Sequence, residues 1–194
     1  MNIKKARLQD LTYMPPAKDS QYRWVAVTSL LLAIGVILHT ISPNVGGVTP
    51  NWTIAMYTIA INLTNPTFKQ CLGIGFVAGA VNVPSSKSAF PYGNIASEIV
   101  GAIVCAVIVK MFLQIRLENS KLKPAVCAFF ATLGSGLTFT FILKLVLGLT
   151  MQMYLYMMVP VVFAIAVANT VVTQLLYFPA EKLFKVQSGR HKQL

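Results

Sequence analysis

The chain has 194 residues, of which 56% are hydrophobic, and a mean hydropathy of +0.67. A formal net charge of +11 would suggest a nucleic-acid partner if the protein were soluble, but a soluble fold of this length could not bury so much apolar surface. The composition therefore favours a small integral membrane protein, excludes a nucleic-acid-binding role, and leaves little chain for a soluble domain.

Six apolar segments follow one another along the chain. A membrane-spanning helix needs about 20 apolar residues, and four of the segments approach that length. The second and third are short and flank the turn-forming stretch at residues 65–70, which predicts a helical hairpin, either two full spans or a re-entrant pair, with Lys69 at its tip. The predicted segments are Trp24–Ile41, Trp52–Leu63, Cys71–Val83, Ile95–Ile115, Ala125–Leu149 and Tyr154–Phe178.

These segments predict an all-α, six-helix membrane domain over residues 24–180, between an N-terminal tail at 1–23 and a basic tail at 181–194. Fourteen of the sixteen Lys and Arg residues lie in the two tails, at Lys69, or between Lys110 and Lys123. Because short cytoplasmic loops of membrane proteins are enriched in Lys and Arg, this pattern predicts that both termini are cytoplasmic. We expect a multi-pass protein of the cell membrane.

Glu98 is the only acidic residue inside an apolar segment. A carboxylate within the membrane costs free energy and commonly marks a functional site. Since Glu98 lies about one turn into the fourth segment, it could line an outward-facing cavity. The alternative is an interfacial residue that interacts favourably with the helix N-terminus.

Other candidates lie near the same end of the segments. His39 could contact a ligand, although an interfacial histidine is the simpler interpretation. Trp52 and Tyr92 could stack on an aromatic ligand, or belong to the aromatic belt at the membrane surface. Small residues at helical spacing on the first segment permit close helix contact, either within the bundle or with a partner subunit: Ala26, Ser29 and Ala33.

The sequence offers no support for an enzyme. It contains no His-Glu-x-x-His, Gly-x-Ser-x-Gly or paired-carboxylate motif, and we expect neither a metal nor a cofactor. The three cysteines, Cys71, Cys105 and Cys127, lie in or beside apolar segments and are interpreted as small hydrophobic residues. No Walker A motif is present, so this chain cannot itself use ATP to drive transport.

Several stretches resemble a known family. They are Ala33–Pro43, Thr49-Pro50-Asn51-Trp52, Phe90-Pro91-Tyr92-Gly93-Asn94-Ile95 and Ala168-Asn169-Thr170. Together with six short segments and cytoplasmic termini, they resemble the substrate-binding S components of energy-coupling-factor (ECF) transporters, and most closely the bacterial tryptophan S components.

The resemblance implies a pocket near the outer face, and pairing with a transmembrane T component and two ATPase subunits. For tryptophan, Glu98 could accept hydrogen bonds from the ammonium, Asn94 or the loop backbone could bind the carboxylate, and Trp52 with Tyr92 could hold the indole. His39 and Asn51 are further candidates beside the pocket. The alternatives are an S component for a vitamin or other heterocycle, a membrane enzyme or assembly factor that uses Glu98, and a pore-forming oligomer.

Overall fold

The computed structural model describes residues 19–42, 51–115 and 121–190, with side chains described for 22–42, 51–115 and 121–184. Within these residues the chain forms six helices and no strand, which confirms the all-α prediction. The last helix contains one π-helical stretch, Tyr154–Met158, between the α-helical stretches Met151–Met153 and Val159–Arg190, and we call the whole α6. The other five are α1 Asp19–Ile41, α2 Trp52–Thr64, α3 Phe68–Asn82, α4 Gly93–Gln114 and α5 Lys123–Leu147.

Four of the helices are long and apolar enough to cross a bilayer: Tyr22–Ile41 in α1, Gly93–Gln114, Lys123–Leu147 and Met151–Phe184 in α6. The protein is therefore a multi-pass membrane protein. In contrast, α2 has 13 residues and α3 has 15, which correspond to about 20 and 22 Å of helix. Each is shorter than the hydrocarbon core of about 30 Å.

The predicted hairpin between α2 and α3 is confirmed. Asn65 ends α2 in the left-handed conformation with φ 46°, and Thr67 begins α3 with reciprocal hydrogen bonds to Gln70, a capping box. Lys69 is exposed in the first turn of α3. The two helices then take different positions: α3 packs chiefly on α4, whereas α2 lies in the centre, in contact with α1, α4, α5 and α6.

The helix boundaries differ from the predicted segments at the α5–α6 connection. Gly148 adopts a left-handed φ of 63° and ends α5 two residues earlier than expected. The Thr150 side chain accepts a hydrogen bond from the backbone N–H of Met153, so α6 begins at Met151 instead of Tyr154. At the other end, α6 continues to Arg190, beyond the predicted end of the sixth segment at Phe178.

Close packing between α3 and α4 depends on two glycines. A Cβ atom at Gly75 would lie 2.7 Å from the carbonyl oxygen of Glu98, and one at Gly79 would lie 2.5 Å from the Cα of Ile95. Both distances are too short for real Cβ contacts, because backbone atoms face the two glycines. The Gly75-x-x-x-Gly79 pair therefore permits close packing within this chain and fixes the position of Glu98 along the contact between α3 and α4.

Candidate functional site

A cavity of about 330 Å³ opens at one end of the bundle. Its walls come from the end of α1, the start of α2, the end of α3, the start of α4, residues 132–140 of α5 and residues 161–165 of α6. These are the helix ends that the charge pattern predicts to lie outside. The volume falls within the range of about 300–1,000 Å³ that is typical of small-molecule sites.

Glu98 lies at the polar side of this cavity, and its side chain is completely buried. The Asn51 and Asn82 side-chain amides donate hydrogen bonds to its Oε1 over 2.9 and 3.2 Å. The Ser135 hydroxyl donates to its Oε2 over a longer distance of 3.5 Å. The start of α2, the end of α3 and the middle of α5 therefore supply the polar contacts that replace water around this carboxylate of α4.

Further buried polar groups surround this carboxylate. Asn82 accepts a hydrogen bond from the Thr53 hydroxyl over 2.8 Å, which fixes the orientation of its amide toward Glu98. The Tyr57 hydroxyl is also buried beside Glu98, but it makes no hydrogen bond of standard geometry with the described residues. A Cβ atom at Gly101 would overlap this hydroxyl, so only glycine leaves room for Tyr57 at this point of α4.

The cavity also has an apolar lining. Val161, Val162 and Ile165 contribute from α6, Ile54 from α2, and Phe139 from α5. The Phe139 ring also packs near Gly93, where a Cβ atom would lie 3.2 Å from the ring carbons. The cavity thus combines a buried carboxylate with an aliphatic and aromatic surface, the mixture expected of a site for an amphipathic small molecule.

Four of the six predicted substrate-site residues line the cavity: His39, Asn51, Asn94 and Glu98. They come from three different parts of the bundle, and the resemblance motifs contain all of them except Glu98. Residues 43–50, between the first two predicted segments, lie outside the described residues. Sequence reasoning missed Asn82, Ser135 and Phe139. Asn82 could have been noticed because it is a polar residue inside an apolar segment. Nothing in the sequence separates Phe139 from the other phenylalanines.

Trp52 and Tyr92 are not among the described residues that line this cavity, and their stacking role remains a prediction. The Trp52 indole N–H donates a hydrogen bond to the Ser42 hydroxyl over 2.7 Å, and its ring packs against the apolar cluster between α1 and α2. The Tyr92 side chain is 65% exposed and touches Phe90 edge to face. The described neighbours of both rings therefore lie outside the cavity lining.

The three small residues predicted to form a docking face are all exposed on α1: Ala26, Ser29 and Ala33. The opposite face of α1 carries Val27, Leu31 and Leu32, which are buried in the bundle. Ala26, Ser29 and Ala33 are therefore not needed for close packing inside this chain.

The described residues contain no group of three or more His, Cys, Asp or Glu side chains that could hold a metal ion. Cys71, Cys105 and Cys127 are buried and form no disulfide. Their side chains belong to the apolar core around α2 and α4, as the sequence indicates.

Comparisons with known proteins show the family of this chain. A family model described as "Tryptophan transporter TrpP" matches residues 21–185. A protein of Clostridium perfringens named "Probable tryptophan transport protein" is 33% identical over 170 residues, which cover 81% of this chain and 91% of the relative. A protein of Clostridium acetobutylicum with the same name is 32% identical over 116 residues, covering 58% of this chain and 66% of the relative. No solved structure matches the chain.

Proposed function

Because this chain belongs to the tryptophan transporter family TrpP, we propose that it binds tryptophan at the outer face of the cell membrane for uptake. We propose further that it acts as the substrate-binding S component of an ECF-type importer. The observation that carries the proposal is the cavity, whose lining combines one buried carboxylate with apolar side chains.

Glu98 is the proposed partner of the tryptophan ammonium. An ionised carboxylate has about four acceptor positions, and three donors already occupy some of them. Oε2 has only the long 3.5 Å contact with Ser135, so it is the oxygen with most remaining capacity. An ammonium that enters beside Ser135 would complete the polar shell of the carboxylate and neutralise its charge.

The indole is proposed to lie against the apolar wall of Ile54, Phe139, Val161, Val162 and Ile165. This wall takes the role that the sequence assigned to Trp52 and Tyr92. An aromatic pair of indole and Phe139 would add to the free energy of burying apolar surface.

Uptake by this chain requires an energy source from outside it. The sequence has no nucleotide-binding motif, and the surface of α1 carries the exposed small residues Ala26, Ser29 and Ala33. We propose that this face contacts the transmembrane T component, which is coupled to two ATPase subunits. Only small side chains would allow the close backbone approach that stabilises helix pairs in lipid.

The Glu98→Gln variant tests the binding site with little change of shape. The substituted side chain can still accept from both asparagine amides with its oxygen, and its nitrogen can donate to the Ser135 hydroxyl, so chiefly the charge is lost. We expect the dissociation constant for tryptophan, measured calorimetrically on purified protein, to rise about 30- to several-thousand-fold. Truncating one partner of a buried charge pair costs about 2–5 kcal/mol.

Indole-3-propionate, which lacks the amine, is the matched ligand. Wild type should bind it far more weakly than tryptophan, whereas Glu98→Gln should scarcely distinguish the two. If Glu98→Gln binds tryptophan as tightly as wild type, Glu98 does not bind the ammonium and has only a structural role. If wild type binds no aromatic amino acid and a vitamin raises its thermal stability, the substrate proposal is wrong.

A further inference from the structure

The cavity carries a second charge besides Glu98. Lys87, in the connection between α3 and α4, lines the same cavity, and its side chain is exposed. Among the described lining residues, Glu98 is the one acid and Lys87 the one Lys or Arg. The two residues therefore give the cavity lining one negative charge, on a buried side chain, and one positive charge, on an exposed one.

The structure keeps these charges apart. Glu98 takes its hydrogen bonds from Asn51, Asn82 and Ser135, and no described hydrogen bond or ion pair joins Lys87 to it. A bound molecule could therefore meet both charges without first breaking an ion pair. A zwitterionic α-amino acid, with one ammonium and one carboxylate, has the matching pair of charges.

Local hydrogen bonds shape the connection that carries Lys87. The Ser86 and Ser88 side chains accept hydrogen bonds from the backbone N–H groups of Ser88 and Phe90 over 3.3 and 3.2 Å. Turns of this kind order a loop through its own side chains. Ser86 and Ser88 also line the cavity, so the segment on both sides of Lys87 faces the site.

The earlier candidate for carboxylate binding is partly engaged elsewhere. The Asn94 side-chain amide donates a hydrogen bond to the Pro91 carbonyl oxygen over 2.8 Å and so helps to start α4. His39 also lines the cavity, but it already interacts with another part of the chain. Lys87 makes no hydrogen bond or ion pair with another described residue, so its ammonium can be directed to a ligand.

From this placement we infer that Lys87 binds the carboxylate of the substrate and makes the site selective for intact amino acids over the corresponding amines. The inference rests on the proposed function, because it takes an aromatic amino acid as the substrate. Lys87 then binds the carboxylate of the zwitterion, and Glu98 binds its ammonium. Tryptamine, which lacks the carboxylate, tests Lys87, and indole-3-propionate, which lacks the amine, tests Glu98.

The test compares tryptophan with tryptamine, which has the indole and the ammonium but no carboxylate. In wild type we expect tryptophan to bind at least about tenfold more tightly than tryptamine, since hydrogen bonds between charged groups are among the stronger ones. In Lys87→Gln the tryptophan affinity should fall about tenfold, tryptamine binding should not weaken, and the preference should disappear. Lys87→Arg should keep the preference.

Lys144 provides the matched control. It lies near the end of α5, on the side of the bundle predicted to be outside, but it does not line the cavity, and its ammonium lies 5.9 Å from the centre of the Phe141 ring. Lys144→Gln removes the same charge from that side of the protein and should leave the preference unchanged. An equal effect of the Lys87 and Lys144 variants would mean that general electrostatic attraction is responsible, which contradicts the inference.

The outcomes separate the inference from the proposed function. If wild type binds tryptophan and Lys87→Gln still prefers it to tryptamine by the wild-type factor, Lys87 is not the carboxylate site and the proposed function stands. If wild type binds neither ligand, the proposed function fails, and the role of Lys87 fails with it. Loss of preference in Lys87→Gln but not in Lys87→Arg or Lys144→Gln would support the inference.

Discussion

At the scale of single residues, the site depends on how neighbouring helices satisfy one buried carboxylate. Glu98 would be costly in this position without donors, and the amides of Asn51 and Asn82 meet that need from the start of α2 and the end of α3. The same contacts tie three helices together at the cavity. We therefore expect Glu98 to contribute to the stability of the bundle as well as to ligand binding, which is why the isosteric glutamine variant is the suitable replacement.

The aromatic part of the site gives a separate prediction. Phe139→Ala should weaken tryptophan binding about 10- to 100-fold, because it removes apolar contact area from the wall of the cavity. Binding of indole-3-propionate should weaken by a similar factor, because the ring contact does not involve charge. Calorimetric titration of both ligands measures the two changes.

Phe130 is the matched control for Phe139, because it lies on the same helix, does not line the cavity, and is 48% exposed on the outer surface of the bundle. Phe130→Ala should leave both affinities unchanged. Trp52→Ala should weaken ligand binding less than Phe139→Ala does, because Trp52 contacts the end of α1 and its apolar cluster and does not line the cavity. A larger effect of Phe130→Ala than of Phe139→Ala would place the indole elsewhere.

At the scale of secondary-structure elements, α1 has two distinct faces. One packs Val27, Leu31 and Leu32 into the bundle, and the other leaves Ala26, Ser29 and Ala33 exposed. A helix that contacted only lipid would have no need for small residues on its exposed face. This arrangement suits a helix that meets another protein.

Ala33→Trp tests that face. The bulky ring would prevent close approach of a partner helix, so uptake and co-purification with the T component and ATPases should be lost. Tryptophan binding by the isolated protein should remain within about twofold of wild type, because Ala33 is exposed and does not line the cavity.

Ile34 provides the control on the same helix. It is exposed and already large, and it lies about 100° around the helix from Ala33. Ile34→Trp should therefore allow more uptake than Ala33→Trp. Equal loss of ligand binding and uptake in Ala33→Trp would indicate that Ala33 supports the fold of this chain.

At the scale of the whole molecule, the cavity must open outward if the protein collects substrate for uptake. The lining residues belong to the helix ends that lie away from Lys69, Lys110 and Lys123, and the positive-inside rule places those basic residues in the cytoplasm. The orientation is a prediction from charge alone, since the fold itself has no preferred side.

Single cysteines at Ser86, Lys121 and Gln187 test the orientation in intact cells. A membrane-impermeant thiol reagent should label Ser86→Cys and should label Lys121→Cys and Gln187→Cys only after the cells are opened. The background is a variant without Cys71, Cys105 and Cys127, which are buried in the core. Labelling of Ser86→Cys and Lys121→Cys from the same side would contradict the predicted membrane topology.

The sequence by itself determined the all-α membrane class, the order of the six helices within the described residues, and the hairpin between α2 and α3. It did so because the apolar length of a segment and the residues that end a helix are local properties. The likeness to bacterial tryptophan transporters was also visible in short local motifs, and the match to the tryptophan transporter family confirms it. Glu98 stood out because it is the only acidic residue in an apolar segment.

Only the tertiary structure decided what surrounds Glu98. Asn51, Asn82 and Ser135 are 47, 16 and 37 residues away along the chain, and the helix packing that joins them depends on Gly75 and Gly79. The direction of a ring is likewise set by its neighbours: Trp52 turns toward Ser42, whereas Phe139 reaches the cavity. Local sequence predicts where a side chain lies along a helix, but the rotation of each helix in the bundle determines what that side chain contacts.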